Sequence, residues 1–227
     1  MAKDRLRALA VPRWLSSGRD IRQRGKIAEL GFKGRRVGKD KYTSFKALEA
    51  SEERGKDYDV HSRLVLGSIA AIIAPHGGHI EPWTDKIADE IASRDFSFYA
   101  FQGLKPGSRL HITSSLFDEP SCLKIVAAHK HAVSIHGWSA RGARVCIGGR
   151  ALELIHAFKE TLSARKIQIE DASGSLRGTD PNNIVNRCAS GRGVQFEVTM
   201  ALRTNSRAAK AFVSAVRDTL IKQQQLG

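Results

Sequence analysis

A buried strand that ends in a cluster of polar residues is the feature that most constrains this chain. Residues 64–74 are rich in Leu, Val, Ile and Ala, which predicts a strand covered on both faces. Pro75 and the glycine pair after His76 are predicted to end the strand in a tight turn. Polar side chains therefore follow the carboxyl end of a central strand, where open α/β sheets bind their ligands. His76 and Glu81 are close enough for one turn to direct both to a single point, where they would supply two of the three protein ligands of a catalytic zinc ion.

A second His-Gly pair follows another apolar strand. Residues 133–135 are predicted to form this strand, and His136 and Gly137 come directly after it. A histidine at a strand end is usually a polar residue whose hydrogen bonds are satisfied. Two such strand ends with a nearby glutamate favour a metal site, because neighbouring strands would place both imidazoles over one point. His136 is therefore the third candidate ligand.

Glu197 lies within a predicted strand, residues 194–199, that is otherwise apolar on one face. The two-residue period of a strand places Gln195, Glu197 and Thr199 on the same side. This side is either a plain polar face of the sheet or the location of a buried functional carboxylate. In the second case, Glu197 would act as a general base for a water molecule activated by zinc.

Two arginines near these segments are candidates for anion binding. Arg187 stands after a long polar loop over residues 171–183, and Arg203 follows the strand that carries Glu197. A planar guanidinium suits bidentate binding of a substrate carboxylate, or the charge that develops on a carbonyl oxygen. Most arginines are solvated surface charges, so each of these alone is a weak signal. The loop itself is long for a compact domain, and such loops are often functional.

Strands alternate with helices along most of the chain, which predicts an α/β sandwich with a mixed sheet. The helices show apolar residues at helical spacing or a capping residue at their start. The predicted helices cover residues 45–53, 84–92, 120–128, 152–162 and a closing segment that includes 212–220. The further predicted strands cover residues 96–101, 145–149 and 167–169, with a short extended segment at 110–113.

Composition places the chain among soluble globular proteins. It has 227 residues, 41% of them hydrophobic and 26% charged, with no apolar run long enough to cross a membrane. No secretory signal is recognisable, so we expect a cytoplasmic location and no membrane partner. Three widely spaced cysteines without a CxxC pair argue against disulfides and a cysteine-based zinc site. HExxH, GxSxG, Walker and strand-linked GxGxxG motifs are absent, which argues against serine hydrolases and nucleotide-binding proteins.

Together these segments resemble the poly-γ-glutamate hydrolase family, zinc enzymes known from bacilli and their phages. The matching motifs run in the family's order from about residue 42 to about residue 217. They are Tyr-Thr-Ser-Phe at 42–45, Gly-Lys-Asp-Tyr at 55–58, Ala-Pro-His-Gly-Gly-His-Ile-Glu-Pro at 74–82, Leu-His-Ile-Thr-Ser at 110–114, Phe-Asp-Glu-Pro at 117–120, Ser-Ile-His-Gly at 134–137, Asn-Asn-Ile-Val-Asn-Arg at 182–187 and Gly-Val-Gln-Phe-Glu at 193–197.

The resemblance implies a three-layer α/β/α sandwich with a mixed central sheet, similar to the fold of zinc carboxypeptidases. It also implies a zinc ion held by His76, Glu81 and His136, with Glu197 as the general base. The implied activity is hydrolysis of γ-glutamyl amide bonds in an acidic polymer or peptide, with poly-γ-glutamate as the expected substrate. Arg187 would stabilise the oxyanion or hold a substrate carboxylate.

The candidate substrate-binding residues are Asn186, Arg187 and Arg203. The first two resemble the Asn-Arg pair of zinc carboxypeptidases, although here the pair follows the second histidine, whereas in those enzymes it precedes the last histidine ligand. Two positions depart from the family pattern: Trp83 stands where a small residue is more common, and His79 adds an imidazole beside the site. Both are expected to narrow the cleft or to change the substrate that enters it.

An alternative function follows from the uneven charge of the chain. Residues 1–41 hold 13 Lys and Arg against 4 Asp and Glu, a net charge of +9 out of +14. This segment is interpreted either as a flexible, solvated arm or as a tether for nucleic acid or another polyanion. The alternative to an enzyme is thus a basic, phage-associated binding protein that uses residues 42–227 as a scaffold, because some family members are labelled as phage replication-related. In the leading hypothesis, residues 42–227 are the catalytic domain.

Overall fold

The computed structural model describes residues 40–107 and 109–226. The helices are α1 (Phe45–Glu49), α2 (Thr84–Ala92), α3 (Pro120–Ala127), α4 (Leu152–Ala164), α5 (Met200–Thr204) and α6 (Ser206–Leu226). The strands are β1 (Tyr58–Arg63), β2 (Ala70–Gly78), β3 (Ser97–Gly103), β4 (His131–Trp138), β5 (Arg144–Gly149), β6 (Gln168–Asp171) and β7 (Val194–Thr199). Two short 3-10 helices, Gly174–Arg177 and Ile184–Arg187, lie between β6 and β7.

The strands of the described residues form one mixed sheet in the order β1-β3-β2-β4-β7-β5-β6. The central strands β3, β2, β4 and β7 are parallel to one another. β1 is antiparallel to β3, β5 is antiparallel to β7, and β6 is parallel to β5. Because β2, β4 and β7 are adjacent and parallel, their carboxyl ends lie side by side at one edge of the sheet.

Helices cover both faces of this sheet. On one face, α3 and β2 contribute Ile125 and Ile73 to a single buried cluster. On the other face, Phe196 of β7 packs between Phe158 of α4 and Phe212 of α6, with ring centroids 5.1 and 5.3 Å apart. Edge-to-face packing of this kind is favourable beyond the apolar area that it buries. The predicted three-layer α/β/α sandwich with a mixed sheet is confirmed.

The strand predicted over residues 64–74 is wrong at its start. β2 begins at Ala70, whereas Leu64 and Leu66 are 59% and 88% exposed. Gly67 adopts a φ of 76° and turns the chain between these leucines and the strand. A prediction based on apolar composition alone therefore extends the strand into a loop. The prediction also misses β1, an edge strand whose last residues are exposed.

β2 does not end at its proline, but its pairing with β3 becomes irregular there. Ala74 pairs with Ala100 and Gly77 with Gln102, so three steps along β2 correspond to two along β3. The predicted end of the strand is thus wrong, although the regular ladder does end there. An extra residue of this kind, a β-bulge, changes the face to which the following side chains point. It directs His76 to the face that carries α3.

Two other predicted elements agree with the structure, and two differ. α2 and β7 have the predicted bounds. α1 ends four residues before the predicted end at residue 53, and residues 110–113 form a loop rather than a strand. Glu119 caps α3, since its Oε2 accepts a hydrogen bond from Cys122 N at 2.7 Å.

The arm predicted for residues 1–41 lies outside the described residues except for Asp40 and Lys41. Its flexibility, its binding of polyanions and the domain boundary at residue 42 therefore stay predictions. Within residues 40–107 and 109–226, no helix combines the length and the apolar character that crossing a bilayer requires.

Candidate metal centre

Three buried side chains meet near the carboxyl ends of β2 and β4. His76 Nδ1 lies 3.0 Å from His136 Nδ1, and Glu81 Oε2 lies 3.4 Å from the first of these nitrogens and 3.5 Å from the second. These three atoms form what we call the donor triangle. In the part of the chain that the structure describes, no other set of three His, Cys, Asp or Glu residues is close enough to share a metal ion.

The fold brings the three residues together from separate places in the sequence. His76 lies in the bulge of β2, and His136 lies in β4. Glu81 stands in the turn between β2 and α2, where its backbone N–H donates to His76 O at 2.8 Å. Thr84, at the start of α2, donates its hydroxyl to Glu81 O at 2.8 Å, and Trp83 between them has a φ of 76°, which is rare for a bulky residue. This tight turn holds the Glu81 carboxylate beside the two imidazoles.

A carbonyl oxygen fixes the tautomer of the neutral His76 ring. Nε2 of His76 lies 2.8 Å from Ile112 O, which can only accept a hydrogen bond. Nε2 therefore carries the hydrogen, and the lone pair of Nδ1 points toward His136 and Glu81. Metal-binding histidines are commonly held in this way, with one ring nitrogen donating to a carbonyl and the other on the ion.

The donor triangle has the size that a zinc ion requires. Zinc binds histidine nitrogen and carboxylate oxygen at about 2.0–2.2 Å, so two ligand atoms at the tetrahedral angle lie about 3.3–3.5 Å apart. Two of the observed separations, 3.4 and 3.5 Å, match this range, and the 3.0 Å between the two nitrogens is shorter by about 0.3 Å. Two nitrogens and one carboxylate oxygen also leave a fourth position for water or substrate, as in catalytic zinc sites. The residues present therefore fit zinc.

The Glu81 carboxyl is held in its ionised form. Burial acts to raise its pKa, but electrostatic attraction to His76 and hydrogen bonds with His136 and His76 outweigh burial and bring the pKa well below its ordinary value. This effect requires positive charge between the imidazoles and the carboxylate, which either a proton on a ring nitrogen or a metal ion supplies. Its Oε2 also accepts a hydrogen bond from Gly137 N at 2.8 Å. The side chain is thus an anion in the folded protein, as a ligand of a divalent cation must be.

Glu197 lies next to the donor triangle on the neighbouring strand. β4 and β7 are parallel, and their register pairs His136 with Glu197, so both side chains point to the same face. Gln195 Nε2 donates to Glu197 Oε1 at 2.9 Å, and Asn183 Nδ2 donates to Gln195 Oε1 at 3.0 Å. Glu197 and Gln195 are both buried. This side of β7 is therefore a buried polar layer rather than a solvated polar face.

Arg203 lies behind the donor triangle and is 3% exposed. Its Nη1 donates to Pro82 O, next to Glu81. A Cβ placed on Gly137 would lie 2.9 Å from Arg203 Nη2 and 3.0 Å from Glu81 Cβ, so a larger residue there would have to displace both side chains slightly. Burial lowers the pKa of the guanidinium to about 10, against the opposing effect of Glu81 and Glu197. Arg203 is therefore a cation at neutral pH that supports the turn carrying Glu81.

Asn186 is buried in the loop that precedes β7. Its Nδ2 donates to Gly178 O and to Asp180 O, both at 2.8 Å, and its Oδ1 accepts from Gly193 N at 3.0 Å. The side-chain amide thus connects three separate parts of the loop backbone. Both donors and the oxygen are engaged within the protein, so the amide shapes the loop.

Arg187 is half-buried at the end of the second 3-10 helix. Its Nε donates to Asn182 O at 3.0 Å, and its Nη2 lies 3.5 Å from Ser115 O. The guanidinium therefore bridges the loop before β7 and the loop before α3. Partial exposure leaves it more accessible to a substrate anion than Arg203, which is fully buried.

His111 is part of the site, although the sequence left its role open. Its ring centroid lies 4.0 Å from that of His76, at an interplanar angle of 37°. Asp40 Oδ1 accepts a hydrogen bond from His111 Nδ1 at 2.7 Å. The Leu-His-Ile-Thr-Ser motif at 110–114 was the one signal available, since Asp40 lies 71 residues away. His79 is exposed, and its effect on the substrate, like that of Trp83, stays a prediction.

Comparison with known proteins gives a consistent assignment. The family model of poly-γ-glutamate hydrolase matches residues 42–215. The UPF0714 protein YndL of Bacillus subtilis (strain 168) is 34% identical over 170 residues, which cover 72% of this chain and 66% of YndL. The SPbeta prophage-derived UPF0714 protein YoqZ of the same organism is also 34% identical over 170 residues, covering 72% of this chain and 60% of YoqZ. The chain thus spans about two thirds or less of the length of these two relatives.

Two solved structures are similar over most of the described fold. A bacteriophage poly-γ-glutamate hydrolase shares 32% identity with a TM-score of 0.78, covering 83% of this chain and 100% of the phage chain. A zinc-free structure of YndL shares 29% identity with a TM-score of 0.73, covering 82% and 99%. The range matched by the family model contains the three residues of the donor triangle and Glu197. The chain therefore belongs to the poly-γ-glutamate hydrolase family.

Proposed function

We propose that this protein is a zinc-dependent amidohydrolase that cleaves the γ-glutamyl amide bonds of poly-γ-glutamate. The observation that carries the proposal is the donor triangle, whose three atoms lie 3.0–3.5 Å apart with Glu197 on the adjacent strand. Family membership supports the substrate class, and the zinc-free form of the relative YndL supports zinc as the metal.

The residues of the site divide the chemistry between them. His76, Glu81 and His136 would hold the ion, which supplies polarisation of the scissile carbonyl and acidifies a water molecule. Glu197 would accept the proton of the attacking water and return it to the nitrogen of the leaving amine, which must be protonated to depart. Gln195 keeps one oxygen of the Glu197 carboxylate in place through the 2.9 Å hydrogen bond.

The substrate is a polyanion, because each γ-linked glutamate keeps a free α-carboxylate. We assign Arg187 to hold one of these carboxylates or the developing oxyanion, since its guanidinium is half-buried and planar. Asn186 would contribute to binding by shaping the loop that carries Arg187. Arg203 would contribute from behind the triangle, where its charge balances Glu81 and Glu197.

Cleavage assays with and without zinc test this function. The purified chain should shorten poly-γ-glutamate, leave α-linked polyglutamate intact, lose activity with a chelator and recover it with zinc. Glu197→Gln should lower kcat/KM by about 10²- to 10⁴-fold while one zinc ion per chain remains bound. The matched control is Glu153→Gln in α4, an exposed carboxylate whose removal should leave kcat/KM unchanged.

Three results would contradict the proposal. Lack of stoichiometric zinc after reconstitution would remove the metal centre. Full activity of the Glu197→Gln variant would remove the general base. Equal cleavage of α- and γ-linked polymers would remove the substrate assignment but leave a zinc amidohydrolase.

A further inference from the structure

We propose that Asp40 and His111 are positioning residues for the metal ligand His76, acting through the loop of residues 111–113. This inference rests on the function proposed above and adds two residues to its machinery. Neither residue belongs to the donor triangle. They determine where the His76 imidazole points.

The loop contacts His76 at two different parts of its ring. His111 covers one face, with ring centroids 4.0 Å apart. Ile112, the next residue, places its carbonyl oxygen 2.8 Å from His76 Nε2. A face contact and an in-plane hydrogen bond together restrict both rotatable bonds of the His76 side chain. The position of Nδ1 in the triangle therefore depends on the position of this loop.

Asp40 fixes the loop at three atoms. Its Oδ1 accepts from His111 Nδ1 at 2.7 Å, and its Oδ2 accepts from the backbone N and from the hydroxyl of Thr113, both at 2.6 Å. The Asp40 side chain is 17% exposed, and each of the three bonds is charge-assisted; the bond to His111 is partly buried, whereas the two bonds to Thr113 are exposed. One carboxylate thus holds the residues on both sides of the carbonyl that binds His76.

The rest of the site gives His76 less support than a regular strand would. The pairing of β2 with β4 ends at Ile73, and its pairing with β3 skips Pro75 and His76 at the bulge. The partner histidine offers little compensation, because His136 Nε2 is buried and has no hydrogen-bond partner among the described residues. The loop held by Asp40 is therefore a main support for the orientation of His76.

Zinc affinity tests the proposal with a readout other than activity. The dissociation constant of zinc should be measured by competition with a chromophoric chelator for the unaltered chain, Asp40→Ala and Asp40→Asn. Loss of a group that orients a metal ligand typically weakens metal binding 10- to 100-fold. We expect about 10-fold weaker binding in Asp40→Ala, and a smaller change in Asp40→Asn, whose amide oxygen can still accept one of the three hydrogen bonds.

Glu52→Gln provides the matched control. The Glu52 carboxylate binds Lys41, Tyr42 and Lys105, so it holds the residues next to Asp40 in the chain. Among the described residues, the hydrogen bonds, ion pair and ring contacts of His76 are with other partners. Its substitution should lower the melting temperature of the zinc-free protein and leave zinc affinity within about twofold. Circular dichroism of each zinc-free variant establishes that it is folded before zinc is added.

The outcomes separate this inference from the proposed function. Weaker zinc binding in Asp40→Ala but not in Glu52→Gln supports it. Equal zinc affinity of Asp40→Ala and the unaltered chain, or an equal loss in the Glu52 control, overturns the inference alone. If Asp40→Ala does not fold, the same two results are read from Asp40→Asn. Failure of the unaltered chain to bind zinc overturns the proposed function, and this inference with it.

Discussion

Two buried glutamates in the same domain, Glu52 and Glu81, have opposite kinds of surroundings. Glu52 faces donors: Lys105 Nζ at 2.5 Å, Lys41 Nζ at 2.8 Å and the hydroxyl of Tyr42. These hydrogen bonds, led by that of Lys105, lower the pKa of Glu52 to about 2. Each negative oxygen of Glu52 therefore has a cationic partner within the protein, and the cluster needs no further ion.

Glu81 instead faces two imidazole nitrogens, and the His76 nitrogen presents a lone pair. Acceptor atoms that converge within 3.0–3.5 Å repel one another unless a proton or a cation lies between them. Burial of a carboxylate is thus common to both clusters and does not distinguish them. The neighbouring groups distinguish them, because the lysine ammonium groups beside Glu52 stay charged, whereas an imidazole nitrogen beside Glu81 can exchange its proton for a metal ion.

Removal of one side chain of the donor triangle should have the largest effect on zinc binding and activity. His136→Ala should weaken zinc binding by at least about 100-fold and reduce hydrolysis of poly-γ-glutamate to near background, because one of three protein ligands is lost. Isothermal titration with zinc and a cleavage assay measure the two effects. An unchanged affinity would show that Glu81 and His76 do not share an ion with His136.

Removal of the carboxylate of the other cluster should affect stability rather than zinc. Glu52→Gln should lower the free energy of unfolding at pH 7 by about 2 kcal/mol, a value discounted for the half-exposed lysines. Because the folded pKa of about 2 lies below the reference value of 4.5, this stabilisation is present above about pH 4.5 and disappears as the pH falls toward 2. Denaturant unfolding of both proteins between pH 7 and pH 3 measures the difference, and a difference that grows toward low pH would contradict this account.

Removal of a donor to the catalytic carboxylate should have the smallest effect. Gln195→Met keeps the length of the side chain but loses the hydrogen bond to Glu197. We expect kcat to fall about tenfold with little change in KM, which corresponds to the lower end of the roughly 1.5–3 kcal/mol that a hydrogen bond to a charged group contributes. Steady-state kinetics on poly-γ-glutamate separate the two constants. A change confined to KM would place Gln195 in substrate binding instead.

The elements that the sequence predicts best are those with a clear period of apolar residues. In α2, Ile87 and Ile91 lie one turn apart on the buried face, and the predicted bounds agree with the structure. β2 was predicted six residues too early because Leu64 and Leu66 have the composition of a strand but lie beyond the turn at Gly67. Composition shows which residues are hydrophobic. Which of them pair with a neighbouring strand depends on the tertiary structure of the sheet.

The candidate site likewise contains residues that the sequence predicted and a contact that it could not predict. His-Gly pairs after apolar strands led to His76 and His136, and the structure places their Nδ1 atoms 3.0 Å apart. Their roles as ligands, like that of Glu197 as the base, stay proposals for experiment. No local pattern could connect Asp40 with His111, because this contact spans 71 residues and depends on the packing of a loop.

The sequence by itself determined the chemistry available to this protein. It supplied a carboxylate and two histidines at strand ends, a glutamate in an apolar strand, and an alternation of strands and helices that requires a layered sheet. The tertiary structure decided which of these groups meet. The bulge after Ala74 directs His76 to the α3 face, and the parallel register of β4 and β7 places His136 beside Glu197. Local sequence specifies the period of a strand, but the face and the register of each side chain depend on pairing with distant segments.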